Sequence, residues 1–312
     1  MIKVPVKSSG SFQVKIIRDN KVRFESHIQN NLLLDKYYQS GNASALYLAV
    51  GTGSTVPVVT DTALANYLAT SSSYATDTQW PTVEHGVDGT DLYWKQKKEF
   101  SFNLGAVVGN ISELGLSNTS NGSAGSFYTR ALFRDASGDP TTYTLTASDQ
   151  LVITYYCELR LPIQPGSFVI SADINGVQTD ITVTPTFLNS GAWSPYRFAM
   201  LHNYQGRAVY SSNIVVDAAT ATVISGSSSS LSPAATWSNP ATGNSNVGKP
   251  QILTNIAGLN NGNATFNQIG ITDGNLSNNF IQILLNLDTP ITKVNTEILT
   301  VSITFLLKES VT

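Results

Sequence analysis

The side chains that most often carry out chemistry are few in this chain and lie far apart in the sequence. There are three histidines, His27, His85 and His202, and one cysteine, Cys157, and none stands at a metal-binding spacing from another. Cys157 lies in an apolar, strand-like run at residues 151–159, so we expect a buried thiol rather than a nucleophile. The sequence therefore predicts no metal site and no disulfide within the chain.

The carboxylates and glycines do not form a recognisable catalytic or nucleotide-binding motif. Glycoside hydrolysis needs two carboxylates facing across a cleft, and Glu99, Glu113 and Glu158 could be combined with several aspartates in ways that the sequence does not decide. The glycine-rich residues 51–54 lack the ending of a phosphate loop, and we interpret their glycines as a tight exit from a strand. We predict no catalytic residues, no cofactor and no enzymatic activity.

Four tryptophans are the remaining candidates for binding: Trp80, Trp94, Trp193 and Trp237. They lie near predicted strand ends or in loops, where an aromatic ring can stack on a sugar or anchor a protein interface. The alternative is that these rings close the ends of β-sandwiches. Both interpretations stay open, and we treat the four rings as candidate interaction residues.

The composition is typical of a β-rich chain that binds neither nucleic acid nor membrane. Of 312 residues, 41% are hydrophobic and 12% are charged, about half the usual charged fraction, and Ser, Thr, Asn and Gly replace the charge. The net charge is −3, and the one basic cluster is at residues 95–98. There is no signal-like N-terminal segment and no apolar stretch of about 20 residues, so we expect assembly in a cytoplasm.

Period-two alternation of apolar residues dominates the chain and predicts strands. Residues 12–28 form a predicted hairpin around an Asp19-Asn20 turn, and the apolar run at residues 45–50 predicts a central strand. Further strands are predicted at residues 100–104, 127–133 and 151–159. Two short helices are predicted in the first half, at residues 32–39 and 62–68.

An internal repeat indicates that the two halves of the chain are related. A second predicted hairpin begins at Phe168 and turns at Asn175-Gly176, and later segments match in the same order: residues 45–50 with 196–201, 111–116 with 266–271, 130–133 with 282–285, and 151–155 with 299–303. Pro162 and Pro165 indicate a linker between the halves. The sequence thus predicts an all-β fold of two tandem, related β-sandwich (jelly-roll-like) domains, residues 1–162 and 163–312, with the short helices in the first.

Charge is divided unevenly between the halves. Residues 1–161 carry 13 Lys or Arg and 14 Asp or Glu, whereas residues 162–312 carry 5 and 7. The second half also contains the Ser-rich residues 225–232 and the Asn/Gly-rich residues 239–248. Depletion of charge is typical of a surface packed against other subunits, and a surface solvated by hydroxyls and amides would have the same composition.

Three groups of residues in the first half resemble structural proteins of tailed-bacteriophage virions. The groups are QNNLLLD at residues 29–35; LAVGTGSTVP at 48–57 with TDTAL at 60–64; and ISELGL at 111–116 with RALFRD at 130–135 and the strand at 151–155. The chain departs from that type at Lys36 and Tyr37, where the pattern has Gly-Leu. The resemblance implies a virion component of the tail, collar, fibre base or baseplate, and it transfers no catalytic residues.

These observations predict a non-enzymatic, oligomeric adaptor in a phage tail, collar or baseplate that joins or supports fibres. Its expected partners are copies of itself and other virion proteins, and its expected location is the virion. A duplicated domain lets a ring of chains present twice as many similar positions, which helps to join rings of different symmetry. The alternative is a receptor- or glycan-binding module at the virion surface, with a host-surface glycan as its partner.

Overall fold

The computed structural model describes residues 2–40, 47–72, 82–174, 177–189, 207–211, 213–226, 229–230, 236–238, 250–254, 264–272, 281–293 and 303–309. In these ranges the chain is all-β, as the sequence predicts, with several antiparallel sheets that include a curled half-barrel. The helix in these ranges, α1 (Asp35–Ser40), is too short to cross a membrane. The strands are β1 Ile2–Arg18, β2 Lys21–Glu25, β3 Gln29–Asn30, β4 Leu32–Leu33, β5 Tyr47–Gly51, β6 Tyr67–Ser71, β7 Thr82–Asp88, β8 Asp91–Ser101, β9 Gly109–Ile111, β10 Glu113–Ser117, β11 Thr129–Leu132, β12 Tyr143–Leu145, β13 Gln150–Pro162, β14 Phe168–Ile174, β15 Val177–Phe187, β16 Arg207–Ser211, β17 Val215–Asp217, β18 Thr222–Ser225, β19 Ser229–Ser230, β20 Thr236–Ser238, β21 Pro250–Thr254, β22 Ala264–Thr272, β23 Ile281–Lys293 and β24 Ile303–Glu309.

The chain forms two compact units. The first unit comprises Ser8–Glu84 and Trp94–Leu159, and the second comprises Met1–Lys7, His85–Tyr93 and Arg160–Thr312. The chain passes from one unit to the other within strands β1, β7, β8 and β13. The assignment of residues 1–162 and 163–312 as two tandem domains stays a prediction.

The first unit is built around one large core. Strands β4, β11, β10, β5 and β6 form one sheet in that order, and β13 lies between β1 and β8 in another. Both sheets contribute fully buried side chains to the same cluster, including Phe12, Leu48, Phe100, Leu114 and Ile153. These residues alternate with polar ones along β1 and β8, which is the pattern that one buried sheet face requires.

The sequence-based prediction of the first hairpin is confirmed. Strands β1 and β2 pair antiparallel, with Arg18 opposite Lys21 across a two-residue turn. Asp19 and Asn20 both have positive φ, 51° and 57°, which is the conformation that a type I′ turn requires and that Asn and Asp tolerate. The central strand is also confirmed, because β5 lies between β10 and β6.

The first of the two predicted helices, at residues 32–39, is shorter than expected. Leu32 and Leu33 form β4 and pair with β11, so the helix α1 begins only at Asp35. The amide of Leu34 donates to the carbonyl of Tyr128 at 2.9 Å, which continues the sheet pairing up to the helix.

The second predicted helix, at residues 62–68, is wrong. Its segment has bends and extended backbone, and it continues into β6. The amides of Ala65 and Asn66 donate to the carboxylate of Glu113, so they make no hydrogen bonds of a helix. A tertiary contact to a distant strand has overridden local propensity.

The second unit contains a six-stranded sheet in the order β14, β15, β23, β22, β16 and β19. The predicted second hairpin is confirmed, since β14 pairs with β15 and Ile174 lies opposite Val177. In another sheet β21 lies between β20 and β24, and β24 pairs in parallel with Ile2–Val6 of β1. Leu188, Ile214 and Leu284 form a buried cluster, which Val216 and Val223 of the β17–β18 hairpin cover.

The main sheets of the two units share one strand order. Numbered along the chain, the strands of the first sheet lie in the order first, fifth, fourth, second and third (β4, β11, β10, β5, β6). Without the edge strand β14, the second sheet has the same order (β15, β23, β22, β16, β19). The central strands β10 and β22 therefore occupy the same place in their sheets.

Candidate functional site

The four tryptophans do not form a site in the described residues. Trp94 is buried in β8 with 1% of its surface exposed, so its ring is not available for stacking on a ligand at the surface. Trp237 lies in β20, but its side chain is outside the described residues, as are Trp80 and Trp193. The interaction roles of these three remain predictions.

The lone thiol is buried, as the sequence predicts. Cys157 is 6% exposed, and its Sγ lies 3.8 Å from the hydroxyl of Tyr37. Burial raises the pKa of Tyr37, which keeps its hydroxyl protonated at neutral pH. Among the described residues, no three His, Cys, Asp or Glu side chains are arranged to hold a metal ion.

The first unit contains a cluster of charged side chains that the sequence does not predict. It consists of Glu113 on β10, Arg130 on β11 and Asp61 in the loop before β6, and we call it the Glu113–Arg130 cluster. The side chain of Glu113 is 0% exposed and that of Arg130 is 3% exposed. Of the segments that carry the resemblance, those at residues 48–57, 60–64, 111–116 and 130–135 meet at this cluster.

Both carboxylate oxygens of Glu113 are fully engaged. Oε1 accepts hydrogen bonds from the amides of Gly53, at 3.0 Å, and Asn66, at 2.8 Å. Oε2 accepts from the amide of Ala65 at 3.1 Å and from Nε of Arg130 at 3.0 Å. These four donors satisfy the buried carboxylate, which connects three segments of the chain.

The guanidinium of Arg130 links this carboxylate to the neighbouring loop. Nη2 lies 2.9 Å from Glu113 Oε2 and donates to the carbonyl of Thr55 at 2.8 Å. Nη1 donates to Asp61 Oδ2 at 2.6 Å. The planar fork of arginine suits this task because its donors have fixed directions.

Two glycines let the chain pass close to Glu113. A Cβ at Gly53 would lie 2.3 Å from Glu113 Oε1, and one at Gly51 would lie 2.4 Å from the carbonyl oxygen of Asn66. No side chain fits at such distances. The glycine-rich run at residues 51–54 is therefore explained by close approach to the buried carboxylate.

The cluster holds residues 55–60, which we call the valine loop, against the first unit. Asp61 Oδ2 accepts from the amide of Val58 at 2.9 Å, and the carbonyl of Val59 accepts from the amide of Asp35 at 2.9 Å. Val56, Val58 and Val59 are nevertheless 65%, 52% and 49% exposed. The loop thus exposes three apolar side chains, while hydrogen bonds to Asp35, Asp61 and Arg130 hold its backbone.

A weak signal for this cluster is present in the sequence. Glu113 and Arg130 are charged residues within apolar strand patterns, and such residues are almost never fully buried unless they are paired. The sequence alone does not show that β10 and β11 are adjacent in the sheet. This adjacency is what brings Glu113 and Arg130 together.

The second unit has a neutral pair on β22 and β23, the strands that occupy the places of β10 and β11. Gln268 on β22 lies opposite Asn286 on β23, and its Nε2 donates to Asn286 Oδ1 at 3.1 Å. The backbone of Ile214 holds the Gln268 amide from the other side, through bonds of 2.9 Å and 3.0 Å. Asn286 Nδ2 donates to the carbonyl of Thr184 at 3.3 Å.

Asn286 also lines a cavity of about 530 Å³ in the second unit. The other described residues that line it are small, aliphatic or uncharged: Gly89, Thr90, Ile163, Gln164, Thr186, Ile214, Val216, Ala218, Ala221 and Leu284. The volume lies in the range of ligand pockets. No protein-family model, curated protein or solved structure matches this chain.

Proposed function

We propose that this chain is a non-enzymatic structural protein of a tailed-phage virion, which oligomerises as an adaptor in the tail, collar or baseplate and joins or supports fibres. It is assembled in the host cytoplasm and remains in the virion. The observation that carries the proposal is the valine loop. Most of the segments that resemble virion proteins meet at a buried ion cluster, and that cluster holds an exposed apolar loop.

The energetics of the loop favour a role in assembly. Burying a valine side chain contributes about 1.5–3 kcal/mol relative to full exposure, so three half-exposed valines offer a partner roughly 2–4 kcal/mol. Because the backbone is already held by Arg130 and Asp61, little conformational entropy is lost when a partner binds. A preorganised apolar loop is suited to protein contact rather than to chemistry.

The composition of the second half supports the same proposal. Residues 162–312 carry only 12 of the 39 charged side chains. The hairpin of β14 and β15 also exposes Val169 and Val177, at 62% and 63%. Uncharged surfaces with exposed aliphatic side chains are suited to burial between subunits.

We also propose the finer architecture, in which the two halves are diverged copies of one β-sandwich of the jelly-roll type. Two observations support this relationship: the shared strand order of the two main sheets, and the matched hairpins that begin near Phe12 and Phe168. A duplicated adaptor presents two similar surfaces per chain, which is useful where rings of different symmetry meet.

Two measurements test the proposal. Light scattering on the purified chain should give a mass that is a multiple of the monomer. Mass spectrometry of purified particles made by the genome that encodes the chain should find it in several copies per particle. A chain that is monomeric at all concentrations and absent from particles would overturn the proposal.

The same preparations test the non-enzymatic part. Incubation of the chain with host envelopes should release no reducing sugar, with a known polysaccharide-degrading enzyme as the positive control. Release of sugar that is abolished by a carboxylate substitution would contradict the structural role.

A further inference from the structure

The connection between β10 and β11 contains an asparagine in a reactive setting. We call residues 118–126 of this connection the asparagine loop, and none of its side chains is charged. Asn121 is exposed in the loop and precedes Gly122, which has a positive φ of 63°. Because glycine has no Cβ, the residue after Asn121 has no side chain that would shield the Asn121 amide from the backbone nitrogen.

The side-chain carbonyl oxygen of Asn121 accepts hydrogen bonds from two donors. The amide of Ser123 donates to Asn121 Oδ1 at 3.2 Å, and the hydroxyl of Ser123 donates to the same oxygen. Two donors on a carbonyl oxygen make its carbon more electrophilic, and they stabilise the negative charge that develops on the oxygen when a nucleophile adds to that carbon. Ser123 therefore supplies the same assistance to Asn121 that an oxyanion hole supplies in acyl transfer.

Buried side chains hold Ser123 in place. The carbonyl of Ser123 accepts from the amide of Ser126 at 3.2 Å and also from the Ser126 hydroxyl. Ser126 is 4% exposed, and its Oγ accepts from the Oγ of Ser117 at 2.9 Å. Donors that are already positioned need no reorganisation when charge develops beside them, so they assist the reaction more than mobile donors do.

The asparagine loop is also anchored on β6. The hydroxyl of Thr70 donates to the carbonyl of Ser120. A Cβ at Gly122 would lie 2.3 Å from a ring carbon of Tyr67, so a residue with a side chain does not fit there. Within the part of the chain that the structure describes, Nδ2 of Asn121 donates to no acceptor, so this nitrogen can leave without breaking a contact.

We infer that Asn121 is a site of self-catalysed modification, at which Ser123 assists the conversion of the side-chain amide to a carboxylate. The backbone nitrogen of Gly122 adds to Cγ of Asn121, the Cγ–Nδ2 bond breaks, and ammonia leaves with the proton from the Gly122 nitrogen. Water then opens the five-membered imide at either of its carbonyls, which leaves an aspartate or an isoaspartate at position 121. The step is neither an oxidation nor a reduction, and water is the only co-reactant.

The modification changes both the charge and the packing of the asparagine loop. It gives the loop its first charged side chain, and the formal net charge of −3 becomes more negative by one unit in each converted chain. An isoaspartate also adds one carbon to the backbone beside Gly122, where the ring of Tyr67 leaves no room for an extra atom. The isoaspartate form of the loop must therefore move away from β6.

Timed incubation of the full, folded chain at mildly alkaline pH, in water enriched in heavy oxygen, measures the reaction. Peptide mass spectrometry should find one heavy oxygen at position 121, and it should accumulate there faster than at Asn118, an exposed asparagine of the same loop that precedes Thr119.

Variants of the loop serines test the role of Ser123. Ser123→Ala removes the hydroxyl donor and should slow the conversion about threefold to tenfold, which is the effect of one lost hydrogen bond. Ser123→Thr keeps a hydroxyl and should restore most of the rate. Ser120→Ala, at another exposed serine of the loop, is the matched control and should convert at the rate of the unmodified chain.

Unfolding in guanidinium chloride separates the folded geometry from the effect of the Asn-Gly sequence. In the unfolded state, Ser123→Ala and the unmodified chain should convert at the same rate, because the donors are no longer positioned. The inference is overturned if Asn121 of the folded chain keeps its amide or converts no faster than Asn118. Equal rates for the folded unmodified chain and folded Ser123→Ala also overturn it. The proposed virion role does not depend on any of these outcomes.

Discussion

The Glu113–Arg130 cluster of the first unit and the Gln268–Asn286 pair of the second lie on strands that occupy the same places in sheets of the same strand order. In the first, the carboxylate of Glu113 accepts from the amide of Gly53 and the guanidinium of Arg130 donates to the carbonyl of Thr55. In the second, the amide of Gln268 binds the backbone of Ile214 and the amide of Asn286, which lines a cavity. The charged version clamps a loop in place, and the neutral version leaves a recess.

The difference between the two units indicates what the buried charges of Glu113 and Arg130 contribute. A buried ion pair is expensive to desolvate, and it often adds little stability over apolar residues of the same size. Glu113 is compensated by three backbone amides as well as by Arg130, so the cluster fixes one loop conformation. Burying the uncharged amides of Gln268 and Asn286 costs less desolvation free energy than burying an ion pair, and these amides hold a shorter part of the backbone in place.

Removal of the arginine should have the largest effect. Arg130→Met leaves the charge of Glu113 buried without its counter-charge, which costs about 3–5 kcal/mol. Hydrogen exchange should speed up in β5, β10 and β11, whereas β22 and β23 of the same molecule serve as the internal control. Arg23→Met, at an exposed position of β2, should leave exchange unchanged. Unchanged protection of β10 in Arg130→Met would remove the basis of the comparison.

A methyl group at Gly53 should have the next largest effect. Its Cβ would lie 2.3 Å from Glu113 Oε1 and 2.5 Å from the Cβ of Ala65, so the loop must move away. We expect Gly53→Ala to lower the free energy of unfolding by about 1–3 kcal/mol in urea denaturation. Ser54→Ala, at the exposed neighbouring position, should change it by less than about 0.5 kcal/mol. Equal midpoints for the two variants would contradict the close approach.

The Gln268–Asn286 pair should contribute less to the free energy of unfolding than the Glu113–Arg130 cluster does. Gln268→Ala removes the hydrogen bonds to Ile214 and Asn286, which we expect to cost about 1–2 kcal/mol. The exposed Gln178→Ala is its matched control. If Gln268→Ala destabilises the chain more than Arg130→Met does, the assignment of the stronger clamp to the first unit is reversed.

The smallest effect is expected for the acid sensitivity that the Arg18–Asp149 ion pair gives the first unit. Hydrogen bonds from Arg18, at 2.8 Å, hold the pKa of Asp149 well below its usual value. A carboxyl whose pKa is lowered by folding stabilises the chain above its ordinary pKa of about 3.9 and loses this contribution as the pH falls below it.

Urea midpoints measured between neutral pH and about pH 3 test this assignment. The unmodified chain should lose stability more steeply with acid than Asp149→Asn does. Asp139→Asn, in an exposed turn, is the control. Identical slopes for the unmodified chain and Asp149→Asn would show that the Arg18–Asp149 pair does not shift the titration.

The sequence predicts well those features that depend on short-range patterns. The hairpin at Asp19-Asn20, the buried β5 and the buried Cys157 follow from turn chemistry and from alternation of apolar residues. Each needs only neighbours along the chain. The all-β fold follows in the same way.

Features that depend on long-range contacts could not be predicted. Residues 62–68 have a helical pattern, but the carboxylate of Glu113, more than 40 positions away, takes their amides. Gly53 signals a tight exit from a strand, whereas the structure shows that close approach to the same carboxylate requires it. The cavity beside Asn286 is lined by residues from five separate segments, so no local pattern reports it.

The most direct test of the account is an electron-microscopy map of the particle made by the genome that encodes this chain. The account predicts several copies in a ring around the tail axis, with Val56 and Val58 of each copy buried against its neighbour. A map without the chain, or one in which the valine loops face solvent while the copies touch elsewhere, would contradict it.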